Sequence, residues 1–342
     1  MDIHSDISLK NYTTMRMGGP ARFMAPVSTP EEVASLYRNA KQQNVPVFVL
    51  GGGSNVIARD EGFNGVVLFN RIKGFEVLSD DKSSVLIRVG AGEIWDEVVA
   101  RTVDMGLSGI EALSAIPGTA GAAPVQNIGA YGQEVADTLV SVEVYDSHQD
   151  KMTTLTLEMC QLSYRYSIFR GDEAGRYCIT AITLKLYHAA PKPPFYAALQ
   201  QYFDNNHITI YTSAIIREAV TAIRTDKLPD PAQRPNAGSF FKNAIIEKWQ
   251  YDDLKEQFPD MPSYDMPEEK FKIPTGWLID QAGFRGQLLH GMRVHDKNAL
   301  VLINESASGY ADLAQARAEI IQGVYDMFHI TIEQEPLELV QG

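Results

Sequence analysis

Apolar positions along the chain fall into two rhythms, one near 3.6 residues and one of short continuous or alternating runs. Val33, Leu36, Tyr37 and Ala40 share one face of a helical pattern. Thr29, Pro30 and Glu32 precede them as a Thr-x-x-Glu capping box with proline at the first helical position. A second stripe, Ile94, Trp95, Val98, Val99 and Val103, runs to Gly106, and a third contains Ile215, Ile216, Ala219, Val220 and Ile223. Residues 276–281 read as helical, and Leu313, Ala316, Ile320, Ile321, Val324 and Phe328 form a last core-facing stripe that Ser308 is placed to cap.

Strands are expected where the run is short and apolar: residues 45–50, 65–69, 84–89 and 299–304. Residues 139–146 alternate, which predicts a half-buried strand with neighbours at 152–157 and 178–187. Residues 330–332 are expected to form a final strand that delivers Glu333, Glu335 and Glu338. Residues 195–199 read as loop after Pro191-Lys192-Pro193-Pro194, and the acidic stretch 248–270 reads as irregular. Pro229, Pro231 and Pro235 make a stiff crossing that marks a unit boundary. Helices and strands are thus interspersed throughout.

Composition narrows the function classes. The 342 residues exceed the usual single-domain size, and 45% hydrophobic with 21% charged residues describes a globular chain with a substantial core. A formal net charge of -13 opposes non-specific attraction to nucleic acid or anionic lipid, so no nucleic-acid or membrane partner is expected and an anionic ligand needs a local site. No signal-like or membrane-spanning apolar run is present, which places the expected protein in the cytoplasm, as a monomer. Two cysteines, Cys160 and Cys178, and seven histidines without a His-Glu-x-x-His pattern predict neither a disulfide framework nor a metal site.

Three stretches carry candidate chemistry. The run at 45–50 empties into Gly51-Gly52-Gly53-Ser54-Asn55, which is either a plain glycine turn or an anion nest of backbone N–H groups. It has neither the dinucleotide Gly-x-Gly-x-x-Gly spacing nor a P-loop ending. Residues 116–132, with Pro117, Gly118, Thr119, Gly121, Ala122, Gln126, Asn127, Gly129, Ala130 and Tyr131, are so small that they forgo their own packing unless a flat group fills the space. The amides of Gln126 and Asn127 can both donate and accept at the edge of such a ring. Arg165, among aromatic residues, suits a carboxylate or enolate. Ser239, in Asn236-Ala237-Gly238-Ser239-Phe240-Phe241-Lys242-Asn243, reads alone as turn chemistry or as a hydroxyl seated on two aromatic rings.

The order of these pieces resembles the UDP-N-acetylenolpyruvoylglucosamine reductase family over nearly the whole chain. The matching stretches include Leu50 through Asn55, Ile116-Pro117-Gly118, Pro124 through Gly132, Ser163-Tyr164-Arg165, Lys227 through Pro231, Asn236 through Asn243 and Ala299 through Glu305. The resemblance implies an α+β fold: a vanillyl-alcohol-oxidase-type FAD-binding region of two α+β subdomains, residues 1–70 (joined by the tail 332–342) and 71–228, then an α+β substrate domain at 229–331. It implies non-covalent FAD held by the two small-residue loops, NADPH as reductant, and a UDP-sugar enolpyruvyl ether as substrate. By motif, Ser239 is similar to the family's proton donor, and Arg165 with Glu335 to the pair that steadies the enol. Glu333 and Glu338 are the neighbouring alternatives for that carboxylate. Tyr196, Lys227 and Asn243 match substrate-contacting positions, with Tyr196 the closing tyrosine of the longer branch. A flavin oxidase or dehydrogenase acting on a sugar or alcohol, and a nucleotide-binding module without turnover, are the other readings. A serine hydrolase is disfavoured by the lack of a Gly-x-Ser-x-Gly elbow at Ser239.

Overall fold

The computed structural model describes residues 2–340, so Met1, Gln341 and Gly342, at the ends of the expected first unit and its tail, lie outside the described residues. The N-terminal part builds a four-stranded sheet in the order His4–Ser8, Pro20–Val27, Phe63–Asn70, Val47–Leu50. Its last two pairings are parallel, and the helix Pro30–Gln42 makes the crossover between them. That helix starts as the capping pattern predicts, with Thr29 Oγ1 accepting from the Glu32 N–H at 3.2 Å. The reciprocal arm differs: Glu32 Oε2 accepts from the Ser28 N–H at 2.6 Å, one residue before the cap.

A five-stranded antiparallel sheet follows, in the order Lys151–Thr156, Leu139–Asp146, Tyr177–Tyr187, Ser84–Gly90, Phe75–Asp80. Helix Trp95–Asp104 covers it with Trp95, Val98 and Val99 buried in a single core with Ile87, Val142 and Leu184. The two sheets are fastened at a tyrosine pair. Tyr37 and Tyr145 lie with ring centroids 5.1 Å apart, Tyr145 Oη donates to Asp150 at 2.7 Å, and Arg38 Nε donates to the same carboxylate at 2.8 Å. Below them the Asn70 amide donates to the Ile179 carbonyl at 2.8 Å, a buried hydrogen bond between the two sheets.

The C-terminal part carries a sheet ordered Asn236–Ser239, Val301–Asn304, Met292–Val294, Leu288–Leu289 and a three-stranded one ordered Ala244–Glu247, Lys270–Ile273, Tyr264–Met266. Helix Tyr310–Phe328 buries Leu313, Ala316, Ile320, Val324 and Phe328 of the expected stripe and leaves Ile321 partly buried. Ser308 is not its cap. Gly309 is, while Ser308 donates to Asp312 Oδ2 and the free Tyr310 N–H reaches Asp60 Oδ2 at 2.7 Å. No described helix is long and apolar enough to cross a membrane.

Three further expectations fail for identifiable reasons. The stretch expected to be irregular at 248–270 holds the helix Lys248–Gln257 and the strand Tyr264–Met266. Only Leu254 of the helix is buried, and the helix is pinned by Tyr251 stacked on Phe271 at 3.8 Å, too narrow a stripe for periodicity to show. The loop expected at 195–199 runs into the helix Ala197–Asn205, which buries only Leu199 and Phe203 and rests on the Phe195, Phe203 and Tyr211 rings. Residues 330–332 are not a strand. Ile330 and Ile332 are buried, but the strand is Leu337–Leu339, past Pro336, paired parallel to Val56–Ala58.

Candidate active site

The tail brings the site together. The Lys242 N–H donates to the Glu333 carbonyl, Phe241 bridges Gln334, and the Glu335 N–H donates to the Phe240 carbonyl at 2.8 Å. The Leu337 N–H then donates to the Asn55 carbonyl. One short segment therefore runs along the residues that follow Ser239 and ends on the first glycine loop. Beneath it Phe240 and Phe241 are fully buried edge to face at 5.2 Å, a seat worth about 3–5 kcal/mol per ring on truncation.

Ser239 lies in a strand rather than in the turn its neighbours suggest. Asn236 pairs Ile303 and Ser239 pairs Val301, so four residues face three and the strand bulges. Gly238 absorbs the bulge at φ +70°, held by its N–H to Asn236 Oδ1 at 2.9 Å. The bulge turns Ser239 into a cleft. That cleft is lined by Gly51 through Asn55, Pro117, Gly118, Thr119, Ala122, Gln126 and Gly129, and also by Arg165, Ser239 and Glu335.

Arg165 occupies a tight turn in which Ser163 and Tyr166 exchange both backbone hydrogen bonds, and its φ of +54° is left-handed for a residue that gains nothing locally from it. Its Nε stands 2.8 Å from Glu335 Oε1, both side chains largely buried. The Nε–H is not aligned on that oxygen, so the pair is a charge contact with an unspent donor. Arg165 Nη2 reaches the Gly129 carbonyl at 3.4 Å. The two alternative carboxylates are placed otherwise. Glu333 is exposed and pairs with Lys242 at 2.9 Å, while Glu338 accepts from Arg59, Arg317 and Tyr310 on the far side of the tail.

The other expected residues divide. Gln126 Nε2 donates to Glu335 Oε1 at 3.2 Å, beside the cleft. Asn127 instead commits its amide to the protein, accepting from the Ala136 N–H and donating to the Ser163 carbonyl, so it holds the arginine turn rather than facing the cleft. Gly121 lines a neighbouring cavity, whose walls include Tyr37, Asn70 and Tyr177. Ala130 and Tyr131 lie on a short hairpin beyond the cleft lining, with the Tyr131 ring 6.0 Å from that of Tyr196. Tyr196 Oη meets Tyr264 Oη, on strand Tyr264–Met266, at 3.3 Å. Lys227 is exposed at the end of helix Ser213–Lys227. The Asn243 N–H donates to Tyr164 Oη at 3.1 Å, while its side-chain oxygen caps Thr275.

Sequence reasoning missed several cationic and aromatic neighbours. Arg224 lines the cleft and donates to the Ala115 carbonyl at 3.2 Å; burial lowers its pKa, opposed by Tyr131. Lys272 lies over the rings of Tyr164 and Tyr264, and burial together with the charge of Arg165 lowers its pKa. Burial raises the phenols of Tyr164 and Tyr196, the latter further through Tyr264. Tyr264 sits in the stretch read as irregular and Lys272 lies two residues beyond it, and no local pattern could have marked them.

The walls fit a flat nucleotide cofactor. A Cβ added at Gly52 would come within 3.0 Å of Gly118 Cα, so side chains on both loops would fill the space between them. Gly53, at φ +63°, leaves 1.9 Å between an added Cβ and the Tyr12 carbonyl oxygen, which fixes glycine there. The adjoining cavity is lined by Tyr37, whose buried hydroxyl has no partner among the described residues, as expected where a ligand brings polar atoms. No described group of acidic, histidine or cysteine residues is placed to hold a metal ion.

Comparison with known proteins bears on the same residues. A family model described as the FAD binding domain matches residues 20–155, and one for the C-terminal domain of UDP-N-acetylenolpyruvoylglucosamine reductase matches residues 230–339. The UDP-N-acetylenolpyruvoylglucosamine reductase of Ralstonia nicotianae is 39% identical over 332 residues, covering 96% of this chain and 97% of its own. That of Flavobacterium johnsoniae is 36% identical over 336 residues, covering 98% and 99%. The crystal structure of the Thermus caldophilus reductase superposes with a TM-score of 0.68 at 24% identity, covering 99% of each chain, which establishes the shared fold.

Proposed function

The chain belongs to the UDP-N-acetylenolpyruvoylglucosamine reductase family, and from that premise we propose how its cleft works. The protein is an FAD-dependent oxidoreductase that reduces UDP-N-acetylglucosamine enolpyruvate to UDP-N-acetylmuramate for peptidoglycan synthesis, with NADPH as the reductant. The observation that carries the assignment of roles is that both glycine loops, Arg165, Ser239 and Glu335 line one cleft. Bound FAD supplies the hydride chemistry, from NADPH to the enolpyruvyl C3.

The chain's residues do the rest. Gly51, Gly52, Gly53, Ser54 and Asn55 face Pro117, Gly118, Thr119 and Ala122 and hold the cofactor through backbone groups. Arg165 carries a permanent charge against the substrate carboxylate, and its unaligned Nε–H is available as charge grows there. Glu335 keeps that guanidinium oriented. Ser239 donates a proton to C2, completing the saturation of the double bond; a hydroxyl is a weak acid and serves only a strongly basic centre. Tyr196 closes over the substrate from the second unit, and Lys227 and Asn243 approach its nucleotide end. A neutral alcohol would leave the Arg165–Glu335 pair without a role.

The three-unit division at 1–70 with 332–342, 71–228 and 229–331, a monomeric state and a cytoplasmic site belong to the same reading. The division is supported by a sheet within each unit and by the tail strand paired to Val56–Ala58. The nucleotide substrates of the reaction support the location. Purified protein is expected to show flavin absorbance that NADPH bleaches anaerobically and that returns only when the enolpyruvyl sugar nucleotide is added. Colourless protein that rejects added FAD would sink the reading.

A further inference from the structure

Arg170 lies outside the cleft lining and outside every role assigned so far, and it reaches Glu335 once directly and once through Gln126. Its Nη2 donates to the Glu335 backbone carbonyl at 2.6 Å. Its Nη1 donates to Gln126 Oε1 at 2.7 Å, and Gln126 Nε2 donates in turn to Glu335 Oε1 at 3.2 Å. Asn55, from the first glycine loop, also donates to Gln126 Oε1.

Two of the members of this chain are amides, and an amide offers a donor at one end and an acceptor at the other. Asn55 and Gln126 could satisfy each other with both ends reversed, which would turn the Gln126 carbonyl oxygen against the Glu335 carboxylate. Arg170 cannot be reversed, because a guanidinium only donates. Its donor on Oε1 fixes the Gln126 NH₂ toward Glu335 and makes Asn55 donate as well. The burial that lowers the Arg170 pKa is offset in part by the charge of Glu335, so the guanidinium is desolvated but not idle.

We infer that Arg170 is a positioning residue for Glu335: one arm fixes its backbone, and the other, through the Gln126 amide, fixes its carboxylate opposite Arg165. The inference rests on the reading of Glu335 as a group that acts in substrate reduction. Arg170 does not line the cleft itself and reaches Glu335 from outside it, so its effect is expected in the half-reaction that uses Glu335.

The test uses the flavin-loaded full chain and follows flavin absorbance in rapid mixing, first with NADPH, then with UDP-N-acetylglucosamine enolpyruvate. Arg170→Met is expected to slow substrate-dependent reoxidation roughly 10- to 100-fold, the loss of hydrogen bonds to a charged group. Reduction by NADPH and flavin content should stay as in the wild type. Arg170→Lys, which also only donates, should recover part of the rate. In a Gln126→Leu background, Arg170→Met should slow reoxidation by much less than it does alone, because the two act in series. Equal loss in both half-reactions, or effects of the two substitutions that simply multiply, overturns the positioning role. An Arg170→Met protein that matches a functioning wild type overturns that role alone. Wild-type protein whose reduced flavin ignores the substrate overturns the functional reading, and the role of Arg170 with it.

Discussion

Glu335 and Glu338 leave the same short tail three residues apart and end in opposite circumstances. Glu338 is saturated: Arg59 and Arg317 donate to it from two units of the chain and Tyr310 Oη adds a third donor at 2.9 Å. It clasps the tail to helix Tyr310–Phe328. Glu335 faces a cleft, with an amide at 3.2 Å and a guanidinium whose Nε–H is off the line. Two carboxylates of one residue type thus differ in what their donors leave over. A fully paired carboxylate fixes structure, and one beside an unspent donor has something to offer a ligand.

The comparison breaks first at activity. Glu335→Gln and Ser239→Ala are each expected to lower turnover by about 10²–10⁴-fold while leaving the melting temperature near the wild-type value. A turnover loss matched by lost flavin and stability would make Glu335 another Glu338. Next, Glu338→Ala should cost about 2–3 kcal/mol in denaturant unfolding, because it strands the partly buried Arg317, and should leave the half-reactions of the remaining folded protein intact.

A pH series sharpens the contrast. Burial pushes the Glu338 carboxyl up, but hydrogen bonds from Arg59, Arg317 and Tyr310 outweigh it and hold the pKa below the usual carboxylate range. A lowered folded-state pKa means that the stabilisation is complete above the unfolded value, near about 4.3, and disappears as pH falls through the folded one. The stability gap between wild type and Glu338→Gln should therefore be constant near neutrality and close in acid; a gap that widens there would contradict the clasp. Smallest of all, Glu333→Ala should change stability by less than about 1 kcal/mol, since its pair with Lys242 is exposed to solvent.

Much of this was legible in the chain. The helix at Pro30–Gln42 and the core stripe of Tyr310–Phe328 rest on periodicity that burial follows, and the strand at Leu139–Asp146 lies where its alternation placed it although Val144, Tyr145 and Asp146 are all buried. The small residues at 51–55 and 116–123 announced an open space because nothing in them could fill it. What the chain could not show has one cause. Lys248–Gln257 and Ala197–Asn205 bury only one and two residues and are held by a few aromatic contacts to residues outside them, so their own patterns were too sparse to read.

By itself, then, the sequence determined which backbone could approach closely and which stripes were core, and its resemblance to a known family implied that Arg165, Ser239 and a tail glutamate belong together. Tertiary structure alone decided the rest. Pro336 has no N–H to give a ladder, so the pairing strand starts after it, and the tail before it lies along Phe240 and Phe241. That register sends Glu335 to the cleft and Glu338 to the clasp. It also makes Arg170, far from either in sequence, the donor that sets the direction of the amide between them.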